Sequence, residues 1–133
     1  MSQENVELAY RASHAFNRRD LDALLALCDP DLEFHSRLVA VEGGGPQRGH
    51  DGIRTWWENV HAAWRDFSSE IEEVRDLGDV TVARQRFRAQ GIQSDAPIEQ
   101  MQWLVTQWRD GKAIWWRTFQ SEAEALEAAG LKE

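Results

Sequence analysis

The chain has 133 residues and a formal net charge of −8 at pH 7, from 15 Lys and Arg against 23 Asp and Glu. This length predicts a single domain over residues 1–133, large enough for its own hydrophobic core. The acidic balance argues against nucleic acid or an anionic membrane as a partner, because both require a concentrated basic surface. Cys28 is the single cysteine, which excludes an internal disulfide and a cysteine metal cage.

The N-terminal sequence indicates a cytoplasmic protein. It is polar, with helical spacing of its apolar residues, and it has no apolar signal-peptide core. No stretch of the sequence approaches the roughly 18 consecutive apolar residues that a membrane-spanning helix needs. We therefore expect a cytoplasmic chain without a membrane partner.

Apolar residues spaced three and four apart predict three helices in the first half of the chain. These helices are expected over residues 5–17, 21–28 and 50–67. Asp20 is expected to cap the second helix and Pro30 to end it, since proline disfavours helix in the residue before it. In the third helix Trp57 lies on the apolar stripe and Trp56 lies at its edge.

An alternating segment between the second and third helices predicts the first strand. Residues 32–38 alternate apolar and polar side chains, with Phe34 and Ser36 on the same face. The glycine-rich residues 39–49 that follow are not a phosphate-binding loop, because the sequence after Gly49 lacks the lysine and hydroxyl residue of that motif. We expect them to form a mobile lid at the mouth of a pocket.

Patterns of period two predict four strands in the second half of the chain. They are expected over residues 69–77, 80–90, 98–108 and 113–120. Asp110-Gly111 is a hairpin signal, and the short turns throughout require antiparallel pairing. A last helix over residues 121–130 is expected to begin at Ser121 and to stop at Gly130. The order predicts an α+β fold with helices on one face of an antiparallel sheet.

Two pairs of strand tryptophans must face opposite sides of the sheet. Trp115 and Trp116 are adjacent, and Trp103 and Trp108 are five residues apart. One member of each pair therefore points outward, where it forms an apolar surface that a second subunit would cover. We expect a homodimer.

Four segments in this order resemble the SnoaL-like branch of the nuclear-transport-factor-2-like superfamily. They are AFNRRDLDALLALCDPDLEFHS (15–36), RGHDGIRTWWENV (48–60), RDGKAI (109–114) and SEAEALEAAGL (121–131). The resemblance implies a cone in which a strongly curved sheet closes with three N-terminal helices around one deep pocket, usually in a homodimer. Polyketide cyclases, ketosteroid isomerase, epoxide hydrolases, dehydratases and non-catalytic proteins resemble this fold. Function therefore has to be argued from the pocket.

The resemblance to ketosteroid isomerase does not extend to its catalytic groups. That enzyme combines an aspartate base with an oxyanion hole made of a tyrosine and a protonated aspartate. The positions that match these three residues hold Ala12, Ser36 and Leu104. Alanine and leucine cannot donate to an oxyanion, and a serine is a poor base without a neighbouring acceptor. Steroid-type isomerisation by this route is therefore not expected.

His35 is a candidate catalytic acid or base. It lies between Glu33 and Arg37, and a carboxylate two residues away would raise its basicity. The alternation that turns Phe34 and Ser36 toward the pocket gives the opposite interpretation, in which His35 points to the outer face. No two histidines have the spacing of metal ligands, so no metal site is expected.

Arg86 is a candidate for binding a carboxylate or enolate oxygen. It shares one strand face with Arg84 and Arg88, and an arginine that reached the pocket would match such an anion. The alternative is that all three form a solvated outer face, balanced by the acidic strand beside it.

The sequence thus predicts a cofactor-free pocket for a small apolar or ring-containing ligand. The expected pocket residues are Cys28, Ser36, Trp57, Gln102, Leu104 and Phe119. The protein would catalyse a cyclisation, isomerisation, dehydration or hydrolysis, or it would be a non-catalytic ligand-binding or dimerisation module. A third interpretation is an accessory domain of an extracytoplasmic sigma factor that acts in trans.

Overall fold

The computed structural model describes residues 2–37, 46–93 and 96–132. Within these ranges the elements follow in the order α1 (Ser2–Asn17), α2 (Leu21–Ala26), β1 (Cys28–His35), β2 (Gln47–Arg48), α3 (Gly49–Ala63), β3 (Trp64–Asp76), β4 (Val80–Gly91), β5 (Pro97–Arg109), β6 (Lys112–Phe119) and α4 (Glu122–Lys132). The predicted α+β class is confirmed. None of the helices in these ranges is long and apolar enough to cross a bilayer.

The sheet has six described strands in the order β2-β1-β6-β5-β4-β3. Strands β3 to β6 form the predicted antiparallel meander, with the turn at Gly111 in the left-handed region at φ 78°. The expectation of a wholly antiparallel sheet is wrong, because β1 pairs with β6 in parallel, from Cys28 beside Ala113 to His35 beside Arg117. No short turn joins these two strands, so local sequence signals do not fix their relative direction.

Two predicted helix ends are wrong because strands begin earlier than expected. Helix α2 ends at Ala26, so Cys28 opens β1 and Pro30 lies in an irregular part of that strand, where its missing amide hydrogen is tolerated. Helix α3 ends at Ala63, so Trp64 and Phe67 belong to β3. Asp66, at φ 52°, marks a bulge that turns Phe67 into the core.

Both helix caps predicted for the shorter helices are present. The backbone N–H of Ala23 donates to the Asp20 carboxylate over 3.0 Å, and that of Glu124 donates to the Ser121 hydroxyl over 3.3 Å. Gly130 does not stop α4, which continues to Lys132.

Residues 39–45 of the predicted lid lie outside the described residues, and the lid stays a prediction. The end of that segment forms β2, and Gly49 begins α3. The His50 ring donates from Nε2 to the carbonyl oxygen of Cys28 over 2.8 Å, which holds the start of α3 against β1. Gly49 itself has a φ of 66°, and its Cα faces the carbonyl oxygen of Pro30.

Two clusters of buried apolar residues lie on opposite faces of the sheet. Helices α1, α2 and α3 cover the inner face, where Phe34, Phe87 and Trp108 are buried. Helix α4 covers part of the outer face over Val82 and Val105. The predicted separation of the tryptophan pairs is confirmed: Trp108 and Trp116 pack on the inner cluster, and Trp103 and Trp115 pack on the outer cluster.

Side chains of α1 bind the backbone of β3, the last strand of the sheet. The Asn17 amide donates to the Ser69 carbonyl over 2.8 Å and accepts from the Ser69 N–H over 2.8 Å. The Ser13 hydroxyl donates to the same carbonyl over 3.1 Å. These bonds fix α1 over the inner face of the sheet and hold the backbone of Ser69 in place.

Candidate functional site

A cavity of about 100 Å³ lies between α1, α3 and the inner face of the sheet. Its apolar wall includes Ala12 from α1, Ile53 and Trp56 from α3, and Leu104 and Trp116 from the sheet. For comparison, a cavity of about 150 Å³ can hold a benzene molecule. The cavity is smaller than that, so in the conformation described it limits a ligand to about one small ring.

Every polar side chain that the described residues contribute to the cavity wall is uncharged at neutral pH. They are the hydroxyl groups of Ser13, Ser36, Ser69, Thr81, Thr106 and Thr118, the thiol of Cys28, the amides of Gln85 and Gln102, and the indoles of Trp56, Trp108 and Trp116. None of the described residues that line the cavity is an Asp, Glu, His, Lys or Arg. Such a wall can orient a ligand by hydrogen bonds but has no side chain suited to general acid–base catalysis near neutral pH.

Several of these polar groups already bond to one another. Gln102 Nε2 donates to Gln85 Oε1 over 3.1 Å, across directly paired positions of β5 and β4. Trp108 Nε1 donates to Thr81 Oγ1 over 3.0 Å. These bonds hold the side chains of the sheet in fixed orientations around the cavity.

Aromatic rings close the cavity on the side of α3. Trp56 is buried and packs on Phe16, Phe34 and Trp116, with ring centroids 5.9, 6.2 and 5.7 Å away. Trp57 was expected in this place, but it does not line the cavity and packs against Phe16 at the side. The sequence spacing allows either tryptophan to face inward, because both lie three or four residues from Ile53.

Four of the six expected pocket residues line the cavity, namely Cys28, Ser36, Gln102 and Leu104. Phe119 does not, because Thr118 takes the inward position and its neighbour then faces α4 on the outer side. Ala12, Ser36 and Leu104 all line the cavity, and these are the positions that the sequence resemblance matches to the catalytic groups of ketosteroid isomerase. Their residue types are part of the reason why the cavity is uncharged.

The Cys28 thiol is not activated as a nucleophile. Burial raises the pKa of this thiol to about 12, and the nearby Lys112 only partly opposes that effect. The thiol also donates to the carbonyl oxygen of Leu24 over 3.3 Å. Because the thiolate is the reactive form, Cys28 behaves as a small apolar residue of the wall.

His35 lies on the outer face of β1 and does not line the cavity. Burial lowers its pKa from the ordinary value of 6.5, the Arg117 charge beside it lowers it further, and Glu33 only partly opposes them. The carboxylate of Glu33 lies 3.1 Å from the Arg48 guanidinium. The pKa of His35 is therefore lowered and not raised as expected, and the imidazole is predominantly neutral at pH 7.

Arg86 also lies on the outer face, as its alternation with the inward Gln85 requires. Its guanidinium donates to Glu72 over 2.9 Å and to Glu99 over 2.8 Å. Arg88 donates to the same Glu99 over 2.9 Å. Arg86 and Arg88 therefore belong to an outer face on which acidic side chains balance their charge, and Arg86 does not line the cavity.

Thr81 and Gln85 on β4 contribute polar groups to the cavity and lie outside the predicted set of pocket residues. The alternation of Arg84, Arg86 and Arg88 along β4 implies that the residues between them share the opposite face. No group of three His, Cys, Asp or Glu residues that could hold a metal ion occurs in the described ranges.

Comparisons with known proteins agree with this architecture. The sequence model of the SnoaL-like domain matches residues 9–116. An NTF2-like protein of unknown function from Burkholderia pseudomallei superposes with a TM-score of 0.80 at 21% identity, over 93% of this chain and 95% of that chain. No curated protein matches the sequence.

Two further structures with similar folds carry chemical information in their descriptions. TerC, co-crystallised with polyporic acid, has a TM-score of 0.77 at 21% identity, over 96% of this chain and 98% of that one. IdmH from Streptomyces antibioticus, a proposed polyketide cyclase, has a TM-score of 0.74 at 22% identity, over 94% and 97%. At identities of 21% and 22%, the similarity to these two structures shows a shared fold only.

Proposed function

The chain belongs to the family of SnoaL-like domains, and from this premise we propose that it binds a small ring-containing molecule in the cavity between α1, α3 and the sheet. The observation that carries the proposal is the wall itself. It combines buried aromatic rings on one side with fixed, uncharged hydrogen-bonding groups on the other. Apolar walls with a few convergent polar groups are the usual composition of small-molecule sites.

Catalysis on the bound molecule is the second candidate. The fold likeness to IdmH, a proposed polyketide cyclase, favours cyclisation or a related cofactor-free reaction. In such a reaction the cavity would act by holding the molecule in a reactive conformation, because its described wall contributes neither a carboxylate nor an imidazole. Binding without turnover supports the first candidate, and conversion of the bound molecule supports the second.

Binding should quench the tryptophan fluorescence in a saturable way, since Trp56, Trp108 and Trp116 line the cavity. The test titrates single-ring aromatic compounds into the full chain. Ala12→Leu narrows the cavity and is expected to weaken binding at least about 10-fold, because an overfilled site has to expand.

The matched control for this titration is Ala62→Leu, the same change at an exposed position of α3. It should bind as the wild type does. Equal affinities for the wild type and Ala12→Leu would show that the compounds bind elsewhere and would contradict the proposal.

We also propose that two copies associate through the outer face of the sheet, around Met101 and Trp103. Helix α4 and Lys132 cover Trp115, so that tryptophan does not need a second subunit. Trp103 is only partly buried against the outer apolar cluster, and Met101 lies two residues before it on the same face of β5. A second copy would cover these two apolar side chains.

Sedimentation velocity at micromolar protein is expected to give the mass of a dimer. Met101→Glu places a carboxylate in the proposed interface and should shift the protein to monomer, while Ile92→Glu, at an exposed position away from this face, should not. A wild-type protein that stays monomeric at every concentration would refute the association.

A further inference from the structure

Three of the buried polar atoms in the cavity wall have no hydrogen-bond partner among the described residues. They are Trp56 Nε1, Ser69 Oγ and Gln102 Oε1, and the three residues are 5%, 5% and 4% exposed. A buried polar atom without a partner costs about 1–3 kcal/mol, so folded proteins contain few of them. Their presence in one wall calls for a chemical reason.

The three atoms differ in what they can accept and donate. The indole nitrogen of Trp56 is a donor only, and the amide oxygen of Gln102 is an acceptor only. The Ser69 hydroxyl can do both. Gln102 cannot easily rotate away, because its Nε2 already donates to Gln85. A ligand that satisfies these atoms has to place a hydrogen-bond acceptor near Trp56 on α3 and a hydrogen-bond donor near Gln102 on β5.

The wall also selects against charge. No cationic or anionic side chain is among the described residues of the lining, and burial of an unpaired ion is strongly unfavourable. The volume of about 100 Å³ restricts the partner to roughly one ring. Apolar surfaces of Phe16, Ile53 and Leu104 surround the remaining space.

We infer that the ligand of this cavity is an uncharged single-ring compound that carries a hydroxyl group, a molecule of the phenol class. The phenol class depends on the proposed small-molecule function, because it specifies the chemical class of the molecule that the cavity binds. The hydroxyl oxygen accepts from Trp56 Nε1 or from Ser69, and the hydroxyl hydrogen is donated to Gln102 Oε1 or to Ser69. The ring occupies the apolar part of the cavity.

The test compares four probes of nearly equal size on the full chain: phenol, toluene, benzoate and benzylammonium. Phenol is expected to bind at least about 10-fold more tightly than toluene, because toluene leaves the polar atoms unpaired. Benzoate and benzylammonium are expected not to saturate the site. In the proton–nitrogen NMR spectrum, phenol should shift the indole N–H signal of Trp56, assigned by its loss in Trp56→Phe.

Substitutions test the role of the sheet side. Gln102→Leu and, separately, Ser69→Ala should each reduce the preference for phenol over toluene by at least about 3-fold. Gln100→Leu, the same change as the first at an exposed position of β5, should leave the preference unchanged. Circular dichroism checks that each variant is folded, and Ser69→Ala keeps the backbone bonds to Asn17.

The outcomes separate the two proposals. Equal affinity for phenol and toluene, both sensitive to Ala12→Leu, would overturn the phenol class and leave the small-molecule function intact. Tighter binding of benzoate or benzylammonium would likewise overturn the phenol class. Failure of all four probes to bind, while other single-ring compounds still quench the tryptophan fluorescence, would overturn the phenol class alone. Failure of every single-ring compound in the fluorescence titration would overturn the small-molecule function itself.

Discussion

Replacing Phe34 with alanine is expected to lower the free energy of unfolding by about 3–5 kcal/mol. Phe34 is fully buried on β1, and its ring stacks on Trp116 with centroids 4.7 Å apart. Trp56 packs edge-on against the same ring. Because β1, β6 and α3 fix these rings from three directions, the structure can close the resulting void only in part. Urea unfolding, followed by circular dichroism, measures the change.

Tyr10→Ala is the control for this loss of an aromatic ring. Tyr10 lies on α1 with 39% of its surface exposed, and its replacement should change the free energy of unfolding by less than about 1 kcal/mol. A similar cost for the two variants would mean that the aromatic cluster does not stabilise the fold as its packing indicates.

Gly49→Ala is expected to lower the free energy of unfolding by about 2–4 kcal/mol. Two effects add at this position. The φ of 66° is unfavourable for a residue with a Cβ, and that Cβ would lie 2.9 Å from the carbonyl oxygen of Pro30. Because the carbonyl belongs to the backbone of β1, the start of α3 has to move. The same urea titration gives the cost.

Gly111→Ala separates the two effects. Gly111 has a φ of 78°, but no other atom lies within 4 Å of an added Cβ. Its replacement should therefore show the conformational cost alone, about 1–2 kcal/mol. If Gly49→Ala costs no more than Gly111→Ala, the close approach of α3 to β1 has no energetic consequence.

The local elements could be predicted from the sequence because each has a local cause. Asp20 and Ser121 begin helices through their own side chains, and Gly111 determines the β5–β6 turn. The pairing of β1 with β6 has no such cause, since the two strands are distant in sequence and meet only in the folded sheet. For the same reason the mixed character of the sheet was not predictable from local patterns.

The cavity residues were predictable only where one face of an element is unambiguous. Gln102 and Leu104 alternate regularly along β5, and both line the cavity. Trp56 and Trp57 both fit a helical stripe, and packing against Phe34 and Trp116 decides which one faces inward. On the neighbouring strand β6 the prediction was off by one residue, because Thr118 faces the cavity and Phe119 faces the outer cluster.

The contact between Asn17 and β3 has a consequence for self-association. Strand β3 is one of the two edge strands of the described sheet, and an edge strand offers its backbone to any other extended chain. The Asn17 side chain presents one donor and one acceptor to Ser69, as a neighbouring strand would. Together with the Ser13 hydroxyl and the Arg19 guanidinium, which donate to carbonyls of the same strand, this amide occupies backbone groups of the edge and so disfavours growth into a continuous sheet.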